Sequence, residues 1–247
     1  MCIFASAMKR IIVALIFVLA SVMPSRAQKA DSLRCGSESF RAVQLIAPAV
    51  LIGAGTAITF TDWGEMNVNL AVRNYVLEND FHGTWIDHVT CMLPSVAHLA
   101  LGWMGVPARH SGKERIALFA TASAMQLGAV RGLKHALDVQ RPDGSNDHSF
   151  PSNHTAFAFM GAEMMRLEYG PWWGLGAYSV ATATGLMRVY NNRHWAGDVL
   201  AGAGFGILSA QAAYWLLPLE RKLFNWDAVC IPYAAPGNAG VSVSLVF

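Results

Sequence analysis

The chain has 247 residues, of which 54% are hydrophobic and 14% charged, with a formal net charge of +2. Soluble chains average roughly 45–50% apolar and about 25% charged residues, so the composition points to a membrane protein of one domain, two at most. A near-balanced charge without clustered Lys and Arg excludes a nucleic-acid partner.

In chain order, Lys9 and Arg10 precede an apolar run at 11–22, and Ser25, Arg26 and Ala27 supply a small-residue cleavage site. This predicts a signal peptide over 1–27, or an uncleaved N-terminal helix in its place, with Met8 as an alternative start. Of the four cysteines, Cys2 would leave with the signal. Cys35, Cys91 and Cys230 show neither CxxC nor ligand spacing, so structural thiols are expected, with no metal site and no cofactor. Cys35 also lacks the small residues that precede a lipoprotein anchor.

Apolar runs follow at 42–61, 89–108, 116–130, 152–169, 171–187 and 199–217. Several reach the ~17–25 residues a bilayer-crossing helix needs; the others are rich in Ala, Gly and Thr, which favour close helix contacts in lipid. The expected fold is all-α: a membrane-embedded bundle of about six core helices. An N-terminal segment covers 28–84 with an apolar helix at 42–61, the helical core covers 85–217, and the tail covers 218–247. In the tail, Pro232, Pro236 and Gly237-Asn238 are turn signals and VSVSLVF alternates as a strand does. A lone strand has no partner in a helical bundle, so a weakly ordered, strand-like tail is expected.

Loop charge sets an orientation. Arg109, Lys113 and Arg115 in one connector, and Arg221 and Lys222 after the last run, mark the cytoplasmic side. The connectors 133–150 and 189–198, and the acidic segment 62–89, then face outward. A cleaved signal would conflict with this if 42–61 also crossed, because residue 28 would begin outside.

Three polar clusters share the outward connectors. KHALDVQRP places Lys134 and Arg141 seven residues apart, PSNH runs from Pro151 to His154, and RVYNNRHWAGD carries Arg188, His194 and Asp198. Three cations suit a phosphate dianion, with guanidinium forks each holding two oxygens. Ser152 and Asn153 fall at an expected helix N-terminus, where free N–H groups and the dipole favour an anion. If a helix begins near His194, Asp198 four residues on can hold one ring nitrogen and leave the other as nucleophile. His154 is a second imidazole, suited to protonating a departing alkoxide. Taken singly, each residue could equally be a snorkelling anchor or a helix start.

Together the clusters resemble the three-part signature of the type 2 phosphatidic acid phosphatase (PAP2) superfamily, K-x6-R-P, P-S-G-H and S-R-x5-H-x3-D, over roughly 85–217. The resemblance implies a PAP2-like helical core and a metal-independent phosphatase. Lys134, Arg141 and Arg188 would bind phosphate, assisted by Ser152 and the backbone at Asn153. His194 would attack phosphorus, Asp198 would orient it, and His154 would protonate the leaving group. Two positions depart from the pattern. Asn153 replaces the family's Gly, and Asn tolerates left-handed backbone best among the other residues. Met187 replaces the Ser before Arg188.

The resemblance implies a bacterial inner-membrane lipid phosphatase facing the periplasm, with a phosphorylated membrane lipid and the bilayer as its partners. Lipid A phosphate is favoured; undecaprenyl diphosphate and phosphatidylglycerol phosphate come next. The alternatives are a soluble exported acid phosphatase, a vanadate-dependent haloperoxidase, and a lipid-phosphate binding or transport protein. His135 and Arg131 either line the pocket or face head groups, and Asp143, Asp147 and His148 are placed to tune substrate choice. His98, Gln126 and Glu163 are expected to be satisfied inside the bundle, with Trp172, Trp173 and Trp195 in an interfacial aromatic belt.

Overall fold

A computed structural model describes residues 40–78 and 84–224, together with the backbone of 228–235 and 238–245. The signal-peptide expectation for 1–27 therefore lies outside the described residues. A 3-10 turn at Ala42–Leu45 leads into α1, Ile46–Phe60. The acidic segment that follows is helical: Asp62–Gly64 and a π turn at Glu65–Asn69 run into α2, Leu70–Glu78. The remaining helices are α3 (Ile86–Thr90), α4 (Leu93–Trp103), α5 (Gly112–Ala136), α6 (Asn153–Tyr169), α7 (Pro171–Tyr190) and α8 (Ala196–Phe224). The apolar run at 89–108 does not form one helix. It breaks at Cys91 and Met92, and α4 restarts with a proline in its first turn, a place where the missing N–H costs no hydrogen bond.

α6 is the axis of the bundle, and α4, α5, α7 and α8 pack around it. One cluster joins Leu118, Met160, Met164, Ala210 and Leu217 from α5, α6 and α8, and another joins Ala158, Ala162, Met165, Ala177 and Ala181 from α6 and α7. The many alanines bring helix axes close, as the composition predicts. α1 lies along α8, where Gly55 faces Ala201: a Cβ on Gly55 would stand 2.5 Å from the Ala201 nitrogen. Ala42–Phe60, Gly112–Ala136 and Ala196–Leu223 are long and apolar enough to cross a membrane.

The tail is strand-like as expected, but it is not a lone strand. Its strand has a partner, because Ala228–Ala235 pairs antiparallel with Asn238–Leu245, Pro232 standing opposite Val241. Every strand of a two-stranded sheet is an edge, so a proline is tolerated there.

Candidate active site

The helix directions decide where the polar clusters meet. α5 ends beside the residues that precede α6, since the Lys134 ammonium donates to the carbonyls of His148 (2.6 Å) and Ser149 (3.0 Å). The start of α5 meets the end of α8 through an Arg221–Glu114 ion pair at 2.8 Å. These helices are thus antiparallel, and Lys134 lies at the same end as Asp198. The peptide N–H of Ser152 donates to the Asp198 carbonyl at 3.0 Å, and that of His194 to the Arg188 carbonyl at 3.3 Å. All three clusters therefore sit at one end of the bundle, linked through hydrogen bonds.

Asp198 is fully buried at the start of α8, and its Oδ2 collects three donors. The Ser149 hydroxyl donates to it in a short bond, the Trp195 peptide N–H at 3.0 Å, and the His194 Nδ1 lies 3.4 Å away. The Ser149 Oγ is also 3.4 Å from that Nδ1. The helix begins at Ala196 rather than near His194, so His194 stands on the connector with Nδ1 turned inward to Asp198 and Nε2 left for chemistry. Burial pulls its imidazole down to about 4; the hydrogen bond and charge of Asp198 oppose this, while Arg188 and Lys134 add to it. At neutral pH the ring is uncharged and nucleophilic.

Arg188 is 4% exposed at the end of α7, and its Nη1 pairs with Asp87 in a short ion pair. Burial acts to raise the Asp87 carboxyl, but the hydrogen bond and charge of Arg188, then His88 and His154, outweigh it and hold the carboxyl below its ordinary value. The Nε atoms of Arg188 and Arg141 are buried without a hydrogen-bond partner. Buried donors in folded proteins are almost always paired, so these two mark a place for an acceptor. Burial and then the charge of Arg188 pull the Arg141 guanidinium below its ordinary value. Lys134 spends two of its three donors on the loop and keeps one. The arrangement can hold one polyanion among three cations.

Ser152 caps α6 by position, yet its hydroxyl accepts from Thr155 (3.0 Å) and makes no cap bond of its own. Asn153 is the first helical residue, and its amide oxygen accepts from Gln126 at 3.0 Å. The left-handed tolerance expected of Asn153 is not used. Among the described non-glycine residues Asn192 alone has positive φ, at 53°. A helical N1 position accepts any L-residue, so replacing Gly there strains nothing. His154 follows, with Nε2 2.9 Å from the Nδ1 of His88. Gly202 on α8 lets this motif sit close, since a Cβ there would lie 2.6 Å from the Ser152 carbonyl oxygen.

The residues 113–222 match the PAP2 superfamily, a stretch that includes all three clusters. Over that stretch, which is less than half of the chain, the sequence is similar to the superfamily. It is 37% identical over 170 residues to a lipid A 1-phosphatase of Porphyromonas gingivalis, covering 67% of this chain and 37% of that protein. It is 36% identical over 75 residues to the bacitracin transport permease protein BcrC of Bacillus licheniformis, covering 29% and 35%. The chain thus spans about a third of the length of these curated relatives. A solved PAP2-type phosphatidylglycerolphosphate phosphatase from Bacillus subtilis superposes with a TM-score of 0.49 at 18% identity, covering 72% of this chain and 96% of that one. Among the described residues three helices are fit to cross a bilayer, which supports a membrane protein.

Four site contacts escape the sequence clusters: Asp87 on Arg188, His88 on His154, Ser149 on Asp198, and Gln126 on Asn153. Asp143, expected to tune substrate choice, pairs with Arg193 at 2.9 Å. His148 stacks edge-on against His135, ring centroids 5.3 Å apart, and Trp195 donates to the Gln140 carbonyl at 2.8 Å. Glu163 is satisfied as expected, by Arg166, Tyr178 and Gln211. His98 is not. It is fully buried and neither ring nitrogen has a hydrogen-bond partner; its carbonyl oxygen alone accepts, from Arg115 and Tyr169.

Proposed function

We propose that this chain is a membrane lipid phosphatase working through a phosphohistidine. The observation that carries the reading is the gathering of His194, His154 and three cations at one end of the bundle, with guanidinium donors on Arg141 and Arg188 left unpaired. Lys134, Arg141 and Arg188 hold the phosphate oxygens, with Ser152 and the free N–H groups at the start of α6 adding to the anion site. The His194 Nε2 attacks phosphorus and the ester P–O bond breaks. Asp198 holds Nδ1–H and stabilises the positive ring that forms. His154 gives the leaving oxygen its proton, then takes one from the water that cleaves the P–N bond and frees inorganic phosphate.

Lipid A phosphate is the favoured substrate, supported by the 37% identity to a lipid A 1-phosphatase; undecaprenyl diphosphate and phosphatidylglycerol phosphate follow. The inner membrane, with the site facing the periplasm, is the favoured placement, because Arg109, Lys113, Arg221 and Lys222 cluster at the opposite end. Phosphate release from the three lipids by detergent-solubilised protein tests the reading. Release from at least one, abolished by His194→Ala, is expected. No release from any of them, or release unchanged in His194→Ala, overturns it.

A further inference from the structure

The short helix α3 precedes the matched 113–222 stretch and belongs to none of the three clusters. Three rungs nevertheless fasten its segment to α7. Thr184 and Thr90 share a hydroxyl–hydroxyl hydrogen bond at 2.9 Å, Arg188 pairs with Asp87, and Asn191 exchanges two hydrogen bonds with the Thr84 backbone at 2.8 and 2.7 Å. Positions 184, 188 and 191 follow one face of a helix, and their partners run 90, 87, 84 in the opposite direction. The Ile86 N–H also donates to the Thr84 hydroxyl at 3.0 Å, which closes the segment on itself. A ladder this regular fixes α3 against the residue that would grip phosphate. It also fixes His88, whose exposed ring meets His154 edge-on at a centroid distance of 4.7 Å, nitrogen to nitrogen at 2.9 Å.

We infer that His88 is a proton relay between solvent and His154 in the phosphatase reaction; the inference rests on the phosphatase reading. The Nε2 of His154 faces His88, so its Nδ1 is the nitrogen left to serve the leaving oxygen. An imidazole gives a proton from one nitrogen while gaining one at the other. As the ester bond breaks, the His154 Nδ1–H passes to the leaving oxygen, the His88 Nδ1–H passes to the His154 Nε2, and His88 takes a proton from solvent at Nε2. When water attacks the phosphohistidine the protons run back. The His154 Nδ1 takes one from the water, its Nε2–H returns to the His88 Nδ1, and the His88 Nε2–H leaves to solvent. Both rings recover their starting tautomers, and neither has to carry a charge. That matters because the groups facing the pair are Arg188, Asp87 and His194, and Arg188 with the neighbouring Lys134 and Arg141 already makes the site cationic. Among the described residues, His88 is the side chain that stands behind His154 as a donor.

Two substitutions separate relay from packing. His88→Phe keeps the ring contact and loses both nitrogens, and His88→Asn keeps a polar atom near Nδ1 but cannot pass a proton through. Full-length protein in detergent is assayed for kcat/KM on a lipid phosphate monoester, whose alkoxide needs a proton, and on p-nitrophenyl phosphate, whose leaving group is stable as the anion. The lipid value should fall at least about tenfold in either variant, the p-nitrophenyl value should stay within about twofold, and added imidazole should restore lipid turnover in His88→Asn. Equal losses on both substrates with no imidazole rescue, or no loss on lipid, overturn the relay while leaving the phosphatase reading intact. A wild type that releases phosphate from neither substrate overturns that reading and the relay with it.

Discussion

Replacing Asp198 with Asn tests the nucleophile most directly. The carboxylate is fully buried, and its Oδ2 faces the His194 Nδ1 at 3.4 Å while receiving Ser149 and the Trp195 N–H. An amide of the same shape keeps the packing, with its oxygen held at the Oδ2 position by the Trp195 N–H. Nδ1–H then meets a neutral acceptor, so no charge disfavours the tautomer with hydrogen on Nε2, the nitrogen that must attack, and the ring loses the anion that stabilises its phosphorylated form. Losing tautomer control in a buried His–Asp pair has cost about 10⁴ in turnover in serine proteases, which corresponds to about 5 kcal/mol. Because the Ser149 hydroxyl can partly re-orient the ring, we expect a fall of about 10³–10⁴ in kcat with folding retained, read as phosphate release by solubilised protein. The pH dependence sharpens the test. Burial already holds His194 down at about 4, and Asp198 is the group that pushes it up. Asp198→Asn therefore lowers it further and leaves the ring neutral at pH 7 in both proteins. Raising the pH should rescue nothing. A variant within tenfold of wild type, or one that recovers at alkaline pH, refutes the tautomer argument.

Other substitutions probe the cradle and the frame apart from the nucleophile. Arg188→Lys keeps a charge but loses the planar fork shared between Asp87 and the ligand; at about 2–3 kcal/mol for the charged hydrogen bonds lost, kcat/KM should fall roughly 30- to 150-fold. Gly202→Ala drives a methyl against the Ser152 carbonyl, 2.6 Å from the new Cβ; overpacking by about 1–3 kcal/mol should shift the PSNH motif and lower kcat at least severalfold, and unchanged kinetics would show that the close approach is dispensable. At the far end of the bundle, Glu168 is fully buried and holds His110 (2.6 Å) and Tyr214 (2.6 Å). Glu168→Gln breaks that buried pair at a cost of about 3 kcal/mol, so the thermal midpoint should drop while kcat of the folded fraction stays at the wild-type value.

The helical architecture and the three clusters were legible because each signal is local. Lys134 and Arg141 flank the end of α5, Ser152 to His154 open α6, and Arg188 to Asp198 run from the end of α7 to the start of α8, so each group is close in sequence. The contacts that hold these groups have no local signal. Asp87 reaches Arg188 across 101 positions and His88 reaches His154 across 66, and nothing in WIDHVT distinguishes them from charges on an outward loop. Ser149 reads as an ordinary loop serine until the turn of α8 delivers Asp198 beside it. Asn153 is helical, and the left-handed backbone falls instead on Asn192, four residues after Arg188. The alternation of the tail strand is a local signal, whereas its pairing with Ala228–Ala235 depends on a separate segment.

The packing of α1 on α8 carries a consequence for topology. α1 ends near the site, where Phe60 meets Phe150 edge-on at 5.2 Å and a Cβ on Gly197 would touch the Ile58 side chain at 3.2 Å. It begins at the other end, where Gln44 accepts from the Trp215 indole at 3.0 Å. Residue 41 therefore shares an end with Arg221, opposite Asp143. If the site faces the periplasm and α1 crosses with α8, residue 41 is cytoplasmic, and a leader cleaved on the periplasmic side just before residue 28 is incompatible with that crossing. Single cysteines in a background lacking the four native ones separate the cases. With a membrane-impermeant thiol reagent on intact cells of opened outer membrane, Gly144→Cys should be labelled, while Arg41→Cys and Lys222→Cys should react only after the inner membrane is permeabilised. Labelling of Arg41→Cys together with Gly144→Cys would mean that α1 lies along the bundle without crossing. Labelling of Lys222→Cys in place of Gly144→Cys would invert the whole arrangement and put the phosphate cradle on the cytoplasmic face.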